Sequence, residues 1–401
     1  MKQAYIVNGV RTPIGNFGGT LSSVRTDDLA ALVLKKLAEK NPSLPLDQVG
    51  DVLMGCANQS GEDNRNVARM ALLLAGFSYG VPGETVNRLC ASGLSASMAA
   101  ARTIMTGDAE LMIAGGVENM TRGPWVIGKA GSAFGRDQQM YDSSFGWRFV
   151  NPKMKEMYGV DAMGETAENL AQKFKISRED QDSFALTSQM KAASAMKKGR
   201  FNKEIIAVEI HQKKGDSILF ESDEFVKSGT TMEALSKLKP AFRKEGSVTA
   251  GNSSGLNDGA AALLLSSEEG LKKLNTQPLA RIVSMGVAGV EPAIMGIGPV
   301  EASNKALAKA GLTMNDIDII ELNEAFAAQS LACIRGWGLS DNDNRINPNG
   351  GAIALGHPLG MSGARILNSA AIELNEQMKR FALVTMCIGV GQGYAVIIER
   401  C

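Results

Sequence analysis

The sequence predicts an α/β protein, and the alternation of apolar runs with helical stretches is the observation that predicts it. Short apolar runs such as 111–116 and 381–387 have the composition of strands buried on both faces. Helical stretches such as 27–40 and 303–310 alternate with these runs, which is typical of a sheet covered by helices. The length of 401 residues suggests two or three domains of ordinary size.

An internal repeat indicates that the protein has two similar halves. Three pairs of segments resemble one another in the same order: 4–10 and 280–287, 47–52 and 315–320, and 259–265 and 393–398. Chance similarity among apolar strands is the alternative explanation. Three matches in one order favour two halves with the same fold.

The segment between the two repeats differs in character and is predicted to be an insertion. Ser177, followed by an acidic residue three positions on, predicts the start of a helix that runs to about Lys198 and stops at Gly199. We expect an N-terminal half formed by 1–120 with 248–272, an insertion at 121–247, and a C-terminal half at 273–401.

Charge and composition exclude several classes of function. Lys plus Arg and Asp plus Glu both number 42, and a neutral chain argues against a general binder of nucleic acid or membrane surfaces. The two histidines, His211 and His357, are far apart, and no two of the five cysteines form a Cys-x-x-Cys pair, so we expect no metal. No run of 18 apolar residues and no secretory signal is present, which favours a reduced, cytoplasmic location.

Cys90 is the first candidate for chemistry. It precedes a run of small residues, 91–101, that predicts a slim, closely packed helix. A cysteine at a helix N-terminus is exposed to free amides and to the positive end of the helix dipole, which favour the thiolate. The alternative is a small buried apolar residue, which is the ordinary role of a lone cysteine.

His357 is the second candidate, because the internal repeat relates it to Cys90. A shift of 268 residues carries Asp47 onto Asn315, and it carries Cys90 to position 358. Two helices related by a pseudo-twofold would direct their N-termini, and hence a nucleophile and a base, at one shared centre. The alternative is a structural histidine in a glycine-rich turn.

Two further polar segments follow predicted strands. Cys387 begins a glycine-spaced segment that reaches Gly393, and its backbone amides, including that of Gly389, are suited to an oxyanion hole. Its spacing is not that of a dinucleotide loop, and a strand follows instead of a helix. Asn323 with Glu324 is either a helix cap or part of a site.

These segments resemble the active-site blocks of the thiolase family. The matching blocks are Cys-Ala-Ser-Gly at 90–93, Asn-Glu-Ala-Phe at 323–326, Gly-His-Pro at 356–358, and the segment with cysteine at 387 and glycine at 389 and 391. The resemblance covers essentially the whole chain. It implies the thiolase fold, with two similar αβαβα halves related by a pseudo-twofold, an inserted loop domain that binds coenzyme A, and no tightly bound cofactor.

The resemblance also implies a role for each residue of the blocks. Cys90 is expected to be the acylated nucleophile, and His357 the base that activates it and the incoming coenzyme A thiol. Cys387 is expected to exchange a proton with the α-carbon of acetyl-CoA. Asn323, through a water, and His357 are expected to hold the thioester oxyanion, while the amides of Cys90 and Gly389 form a second hole. These are the groups that a retro-Claisen cleavage needs.

For coenzyme A, the positions that match the family are Lys227, Phe242 and Ser254. Ser254 lies in a family motif, 249–255, whereas Lys227 lies in the insertion, where a solvated surface lysine is the alternative. We expect the chain to bind acyl-CoA and coenzyme A as substrates. We also expect it to assemble with copies of itself as a homodimer or homotetramer.

The acyl group is expected to contact Met163 and its neighbour Ala162. Thiolases that make acetoacetyl-CoA usually have a histidine just before this methionine, where this sequence has Ala162. The smaller side chain leaves room for a longer acyl tail, which suggests a degradative enzyme. Segments 61–69 and 145–152 resemble 3-oxoadipyl-CoA thiolases. That substrate carries a distal carboxylate, for which Arg148 is a candidate partner on grounds of charge, and a structural salt bridge is the alternative.

Three other functions remain open at this point. They are a straight-chain 3-ketoacyl-CoA thiolase of β-oxidation, a biosynthetic acetoacetyl-CoA thiolase, and a non-catalytic scaffold with the same fold.

Overall fold

The computed structural model describes residues 2–212 and 214–401. The β-strands are β1 (Tyr5–Arg11), β2 (Gly15–Asn16), β3 (Val52–Gly55), β4 (Gly83–Val86), β5 (Leu111–Asn119), β6 (Trp125–Ile127), β7 (Met140–Asp142), β8 (Val208–Ile210), β9 (Ile218–Phe220), β10 (Asn257–Ser266), β11 (Ala280–Gly289), β12 (Ile319–Leu322), β13 (Phe381–Ile388) and β14 (Gln392–Arg400). The α-helices are α1 (Thr26–Lys40), α2 (Val67–Leu74), α3 (Ser92–Thr106), α4 (Pro152–Tyr158), α5 (Met163–Lys173), α6 (Arg178–Lys197), α7 (Met232–Ser236), α8 (Glu268–Leu274), α9 (Gly298–Ala310), α10 (Ala327–Gly336), α11 (Ala352–Leu355) and α12 (Leu359–Glu376).

The strand order of the main sheet is symmetric about its centre. Ten strands form this sheet in the order β12-β13-β14-β11-β1-β10-β5-β3-β4, and β2 pairs with β10. Reading outward from the central β11–β1 pair, β14 matches β10, β13 matches β5 and β12 matches β3. The pairs β12–β13 and β3–β5 are both parallel. The internal repeat is therefore confirmed, because its matched segments contain or lead into matched strands.

Helices cover the sheet in layers. α3 and α12 pack against each other and against strands of both halves, with α12 contacting β5, β10 and β13. The opposite face of the first half is covered by α1 and α2, and that of the second half by α9. This gives an αβαβα arrangement in which α3 and α12 form the central layer.

The segment between β5 and β10 contains the hairpins β6–β7 and β8–β9 and helices α4 to α7. Its longest helix, α6, begins at the cap Ser177, whose hydroxyl accepts from the Asp180 amide, while the Asp180 carboxylate accepts from the Ser177 amide. Gly199 follows the helix with a φ of 69°. The start and stop signals of this helix are thus confirmed.

The first turns of α3 and α12 approach each other so closely that only glycine fits between them. A Cβ at Gly93 would lie 2.4 Å from the carbonyl oxygen of Gly360, and a Cβ at Gly363 would lie 2.4 Å from the amide of Leu94. The two helix N-termini therefore meet at one place, as the pseudo-twofold predicts. Cys90 and His357 each lie two residues before one of these helices.

Candidate active site

Cys90 lies in a tight turn between β4 and α3. The residue before it, Leu89, has a φ of 47°, a conformation that a leucine rarely adopts. Two hydrogen bonds hold the turn: Asn87 Oδ1 accepts from the Leu89 amide at 2.9 Å, and the Ser92 hydroxyl donates to the Leu89 carbonyl at 2.7 Å. The turn fixes the half-buried Cys90 side chain at the N-terminal end of α3.

Burial opposes the thiolate that a helix N-terminus favours at Cys90. Burial raises the pKa of the Cys90 thiol to about 11, although the amides of Gly389 and Cys90 act to lower it. The loss of hydration outweighs the helix N-terminus, so the resting group is the neutral thiol and needs a base. The contact with the Gly389 amide shows that the glycine-rich segment after Cys387 reaches the Cys90 sulfur.

His357 is a buried neutral base with a fixed orientation. Its Nδ1 lies 2.7 Å from the Ser362 hydroxyl, and its amide donates to Asn257 Oδ1 at 3.0 Å. Burial, with a smaller effect of the Arg365 guanidinium, lowers the pKa of His357 to about 3. The imidazole is therefore uncharged at neutral pH, and the same burial makes it a weaker base than a solvated imidazole.

Asn323 lies directly against His357. Its Nδ2 is 3.4 Å from His357 Nε2, and its amide donates to the Thr385 carbonyl at 3.0 Å. The Asn323 side chain is fully buried, yet its Oδ1 has no hydrogen-bond partner in the described part of the chain. A buried acceptor of this kind is normally satisfied by water or a ligand.

The neighbour Glu324 has a structural role. It accepts hydrogen bonds from Ser188, Asn347 and the Ile353 amide at 2.7–3.2 Å, and thereby ties together the loops around Asn323 and before His357.

Cys387 is the second buried thiol of the site. It is the second-last residue of β13 and lies two residues before Gly389. Its side chain packs in an apolar cluster with Met163 and Phe326 and is almost fully buried. Burial, with a contribution from Cys90, raises the pKa of Cys387 well above its ordinary value. Cys387 is therefore a protonated thiol at neutral pH.

Two of the three residues predicted to bind coenzyme A lie beside this centre. The Ser254 amide donates to the Ala325 carbonyl at 3.0 Å, next to Asn323. Phe242 packs edge-on against Phe326 with ring centroids 6.3 Å apart. Lys227 is exposed; its amide donates to Gln189, and its ammonium nitrogen lies 5.4 Å from the Phe225 ring centroid.

The predicted acyl-contacting residues occupy different positions. Met163 begins α5, and its sulfur lies 3.7 Å from where a Cβ of Gly389 would be. Ala162 is the exposed residue before α5. Arg148 is half-buried, and its Nη1 donates to the Ser143 carbonyl at 3.3 Å. Throughout 2–212 and 214–401, no carboxylate forms a salt bridge with Arg148.

Sequence reasoning missed three residues that position the site. Asn257 holds the His357 amide, and Ser362 holds its imidazole. Glu118 accepts from the amides of Ala57, Asn58 and Gly360 at 2.9 Å, which ties β5 to the start of α12. Ser362 follows His357 by five residues on a predicted helix, so helical spacing could have indicated it; nothing in the sequence indicates the other two.

Two features are absent from the described residues. No cluster of His, Cys, Asp and Glu side chains there has the arrangement of a metal site. None of the helices described has the length and apolarity required to cross a membrane.

The comparisons with known proteins agree with this geometry. The family model "Thiolase, N-terminal domain" matches residues 4–269, and "Thiolase, C-terminal domain" matches residues 276–400. The chain belongs to the thiolase family.

Similar relatives and structures match over the full length. The chain is 56% identical over 400 residues to the "Beta-ketoadipyl-CoA thiolase" of Acinetobacter baylyi, covering 100% of both chains. It is 57% identical over 400 residues to the "3-oxoadipyl-CoA/3-oxo-5,6-dehydrosuberyl-CoA thiolase" of Escherichia coli strain K12, again covering 100% of both. The crystal structure of human mitochondrial 3-ketoacyl-CoA thiolase superposes with a TM-score of 0.92 at 40% identity, covering 100% of this chain and 99% of that one. The Bacillus anthracis acetyl-CoA acetyltransferase gives a TM-score of 0.90 at 41% identity, with the same coverage.

Proposed function

We propose that this chain is a degradative thiolase that cleaves 3-oxoadipyl-CoA with coenzyme A, giving acetyl-CoA and an acyl-CoA shortened by two carbons. The observation that carries the proposal is the convergence of a half-buried thiol, a buried thiol, one neutral imidazole and one unpaired amide oxygen at the meeting point of α3 and α12. Full-length relatives named for the same substrate support it.

The first half of the reaction breaks the carbon–carbon bond. His357 Nε2 takes the proton of the Cys90 thiol, and the sulfur attacks the C3 carbonyl of the substrate. The amides of Cys90 and Gly389 stabilise the oxyanion that forms. The bond between C2 and C3 then breaks, and its electron pair passes into the enolate of acetyl-CoA while the acyl group stays on Cys90.

The second half of the site stabilises and protonates that enolate. The protonated His357 Nε2 and a water held by Asn323 Oδ1 donate to the enolate oxygen. Cys387 gives its proton to the α-carbon, which releases acetyl-CoA. The proton that His357 took from Cys90 then passes to the Cys387 thiolate, so that His357 and Cys387 are both neutral again.

Coenzyme A completes the cycle. His357 takes the proton of the coenzyme A thiol, the sulfur attacks the acyl-Cys90 thioester, and the proton returns to Cys90 as the acyl-CoA leaves. Ser254 and Phe242 bind coenzyme A beside Ala325 and Phe326. Lys227 is a further candidate for its phosphates because it is an exposed cation on the insertion. Coenzyme A is thus a substrate, and no tightly bound cofactor is part of this scheme.

The distal carboxylate of 3-oxoadipyl-CoA is assigned to Arg148. A half-buried guanidinium with no carboxylate partner has unused donors that match a carboxylate in geometry and charge. Arg148 follows Trp147, which lines a narrow slot together with Met163. Arg148 itself does not line the slot, so its sequence neighbour Trp147 is the link between them.

A comparison of three substrates tests the assignment. Thiolysis of 3-oxoadipyl-CoA should have a higher kcat/KM than that of 3-oxohexanoyl-CoA or acetoacetyl-CoA. Arg148→Met should raise the KM for 3-oxoadipyl-CoA about tenfold or more and leave 3-oxohexanoyl-CoA nearly unaffected, because only the first carries the second charge. Arg148→Lys, which keeps the charge, should lose less. Equal or better activity on the uncharged chains would remove the dicarboxylate assignment and leave a straight-chain or biosynthetic thiolase.

A catalytically inactive scaffold is the alternative of a different class. Incubation with acetoacetyl-CoA followed by mass spectrometry separates the two, because a thiolase forms an acyl adduct on Cys90 and a scaffold does not.

We further infer that the enzyme works as a homodimer or homotetramer in the cytoplasm. In the hairpin β6–β7, more than 60% of the surface of each of Trp125, Ile127 and Met140 is exposed to solvent. An exposed apolar surface of this kind is typical of a protein–protein contact. Light scattering on Trp125→Ser with Ile127→Ser tests whether the hairpin holds copies together. A reducing compartment suits a mechanism in which Cys90 and Cys387 must both remain free thiols.

A further inference from the structure

Val390 has a backbone conformation that its side chain disfavours. Its φ is 64°, and a β-branched residue in this left-handed region is a true outlier. It stands between Gly389, whose amide reaches the Cys90 sulfur, and Gly391, whose φ is 85°. A strained residue at a functional site indicates that the strain serves the function, since glycine would adopt this conformation without cost.

The surrounding structure prevents the turn from relaxing. The Val290 amide donates to the Gly391 carbonyl at 2.8 Å, and a Cβ at Gly391 would lie 2.2 Å from the Val290 carbonyl oxygen. On the other side, a Cβ at Gly389 would lie 3.3 Å from Leu89 Cδ1. The Val390 backbone is therefore held from both sides, and its side chain has a fixed direction.

That side chain is part of the wall of the narrow slot beside the active site. Val390 lines the slot with Trp147, Tyr158, Met163, Pro292 and Ala293. The Val390 side chain is 38% exposed, so it is not retained for burial in a core. The two methyl groups narrow the slot at a point one residue away from the oxyanion-hole amide of Gly389.

We propose that Val390 determines acyl specificity, and this inference rests on the proposed thiolase function. Its branched side chain narrows the slot opposite Trp147 and Met163 close to the reacting C3 carbonyl. The slot has a volume of only about 10 Å³, so an acyl chain enters it only when the lining side chains move. An unbranched 3-oxoacyl chain requires less movement at Val390 than a chain that branches at C4, whose extra methyl group meets the Val390 methyl groups. The enzyme retains the strained valine because glycine at this position would leave the slot wide.

Val390→Gly and Val390→Ala test the inference together. For each enzyme, kcat/KM is measured with acetoacetyl-CoA, 3-oxohexanoyl-CoA and the C4-branched 4-methyl-3-oxopentanoyl-CoA. The ratio of branched to unbranched kcat/KM should rise about tenfold or more in Val390→Gly and by a smaller factor in Val390→Ala. The Tm of Val390→Gly should change little, because the strain that glycine relieves offsets the entropy that glycine adds to the unfolded chain.

Two results in an active enzyme would overturn the inference. An equal fall of kcat/KM with every substrate would assign Val390 to the orientation of the Gly389 amide. An unchanged ratio at full activity would deny it any role in specificity. Thiolysis of 3-oxoadipyl-CoA by the wild type distinguishes failure of the proposed function: no cleavage of that substrate would overturn the proposed function, whereas cleavage of it with an unchanged ratio in the variants would overturn only the inference about Val390.

Discussion

The Nδ1 atom of His357 lies 2.7 Å from Ser362 Oγ, and the Ser362 hydroxyl also lies 2.8 Å from the Pro358 carbonyl oxygen, to which it donates. With its proton given to Pro358, Ser362 accepts a hydrogen bond from Nδ1–H of His357. The imidazole therefore keeps its lone pair on Nε2, the atom that faces Asn323. Ser362 is a positioning residue that selects the tautomer which the proposed proton transfers require.

Ser362→Ala should lower kcat by roughly tenfold to a hundredfold, because the imidazole loses the partner that fixes its tautomer. The KM for the acyl-CoA should change little, since Ser362 does not reach the substrate. Steady-state thiolysis measures both quantities. Ser97→Ala is the matched control: Ser97 lies on α3 and makes the same type of helix-backbone hydrogen bond, to Gly93 at 2.8 Å, without touching a histidine. A similar kcat loss in both variants would contradict the positioning role.

The alkylation of Cys90 should increase with pH well beyond neutrality. Because burial raises its pKa to about 11, the thiolate fraction grows about tenfold for each pH unit between 7 and 10. Peptide-resolved mass spectrometry after brief exposure to iodoacetamide follows this residue separately from the exposed Cys401. A plateau below pH 8 would show instead that the site holds a preformed thiolate.

Cys387→Ala should separate the two chemical roles of the thiols. Acylation of Cys90 by an activated acyl-CoA should persist, whereas exchange of the acetyl-CoA α-protons with deuterated water should fall by at least a hundredfold, since the proton donor to the α-carbon is gone. The measurements are intact-protein mass spectrometry and NMR. Normal exchange in the variant would refute the assignment of Cys387.

His357 should make the protein less stable in mild acid. Its pKa is about 3 in the folded state and about 6.5 when unfolded, so the unfolded chain binds the extra proton between these values. The free energy of unfolding should therefore fall as pH decreases below 6.5. By pH 5, protonation of His357 in the unfolded chain should account for a loss of roughly 2 kcal/mol.

His357→Gln should remove this part of the pH dependence. Urea unfolding at pH 7 and pH 5 measures the difference. His211→Gln, at the exposed second histidine of the sequence, is the matched control for the loss of an imidazole. An unchanged slope in His357→Gln would mean that His357 is not held neutral by burial.

The sequence predicted the elements that depend on local patterns. The strands of the internal repeat, the capped helix α6 and the meeting of the helices after Cys90 and His357 all follow from periodicity, capping residues and the 268-residue shift. The ionisation of Cys90 could not be predicted in this way, because the loss of hydration depends on residues brought together only by folding. For the same reason, the amide hydrogen bond that Asn257 accepts, 100 residues before His357, left no local signal.

The glycine contact between α3 and α12 has a consequence for how the protein acquires activity. In the proposed mechanism, the N-terminal half supplies the nucleophile Cys90, and the C-terminal half supplies the base His357, the thiol of Cys387 and the side-chain amide of Asn323. Neither half alone contains a working site, and the two sets of groups come into register only when Gly93 and Gly360 meet. During refolding, the return of activity therefore reports the docking of the two halves rather than the folding of either. A chain cut between β10 and β11 would regain activity at a rate that depends on the concentration of its fragments.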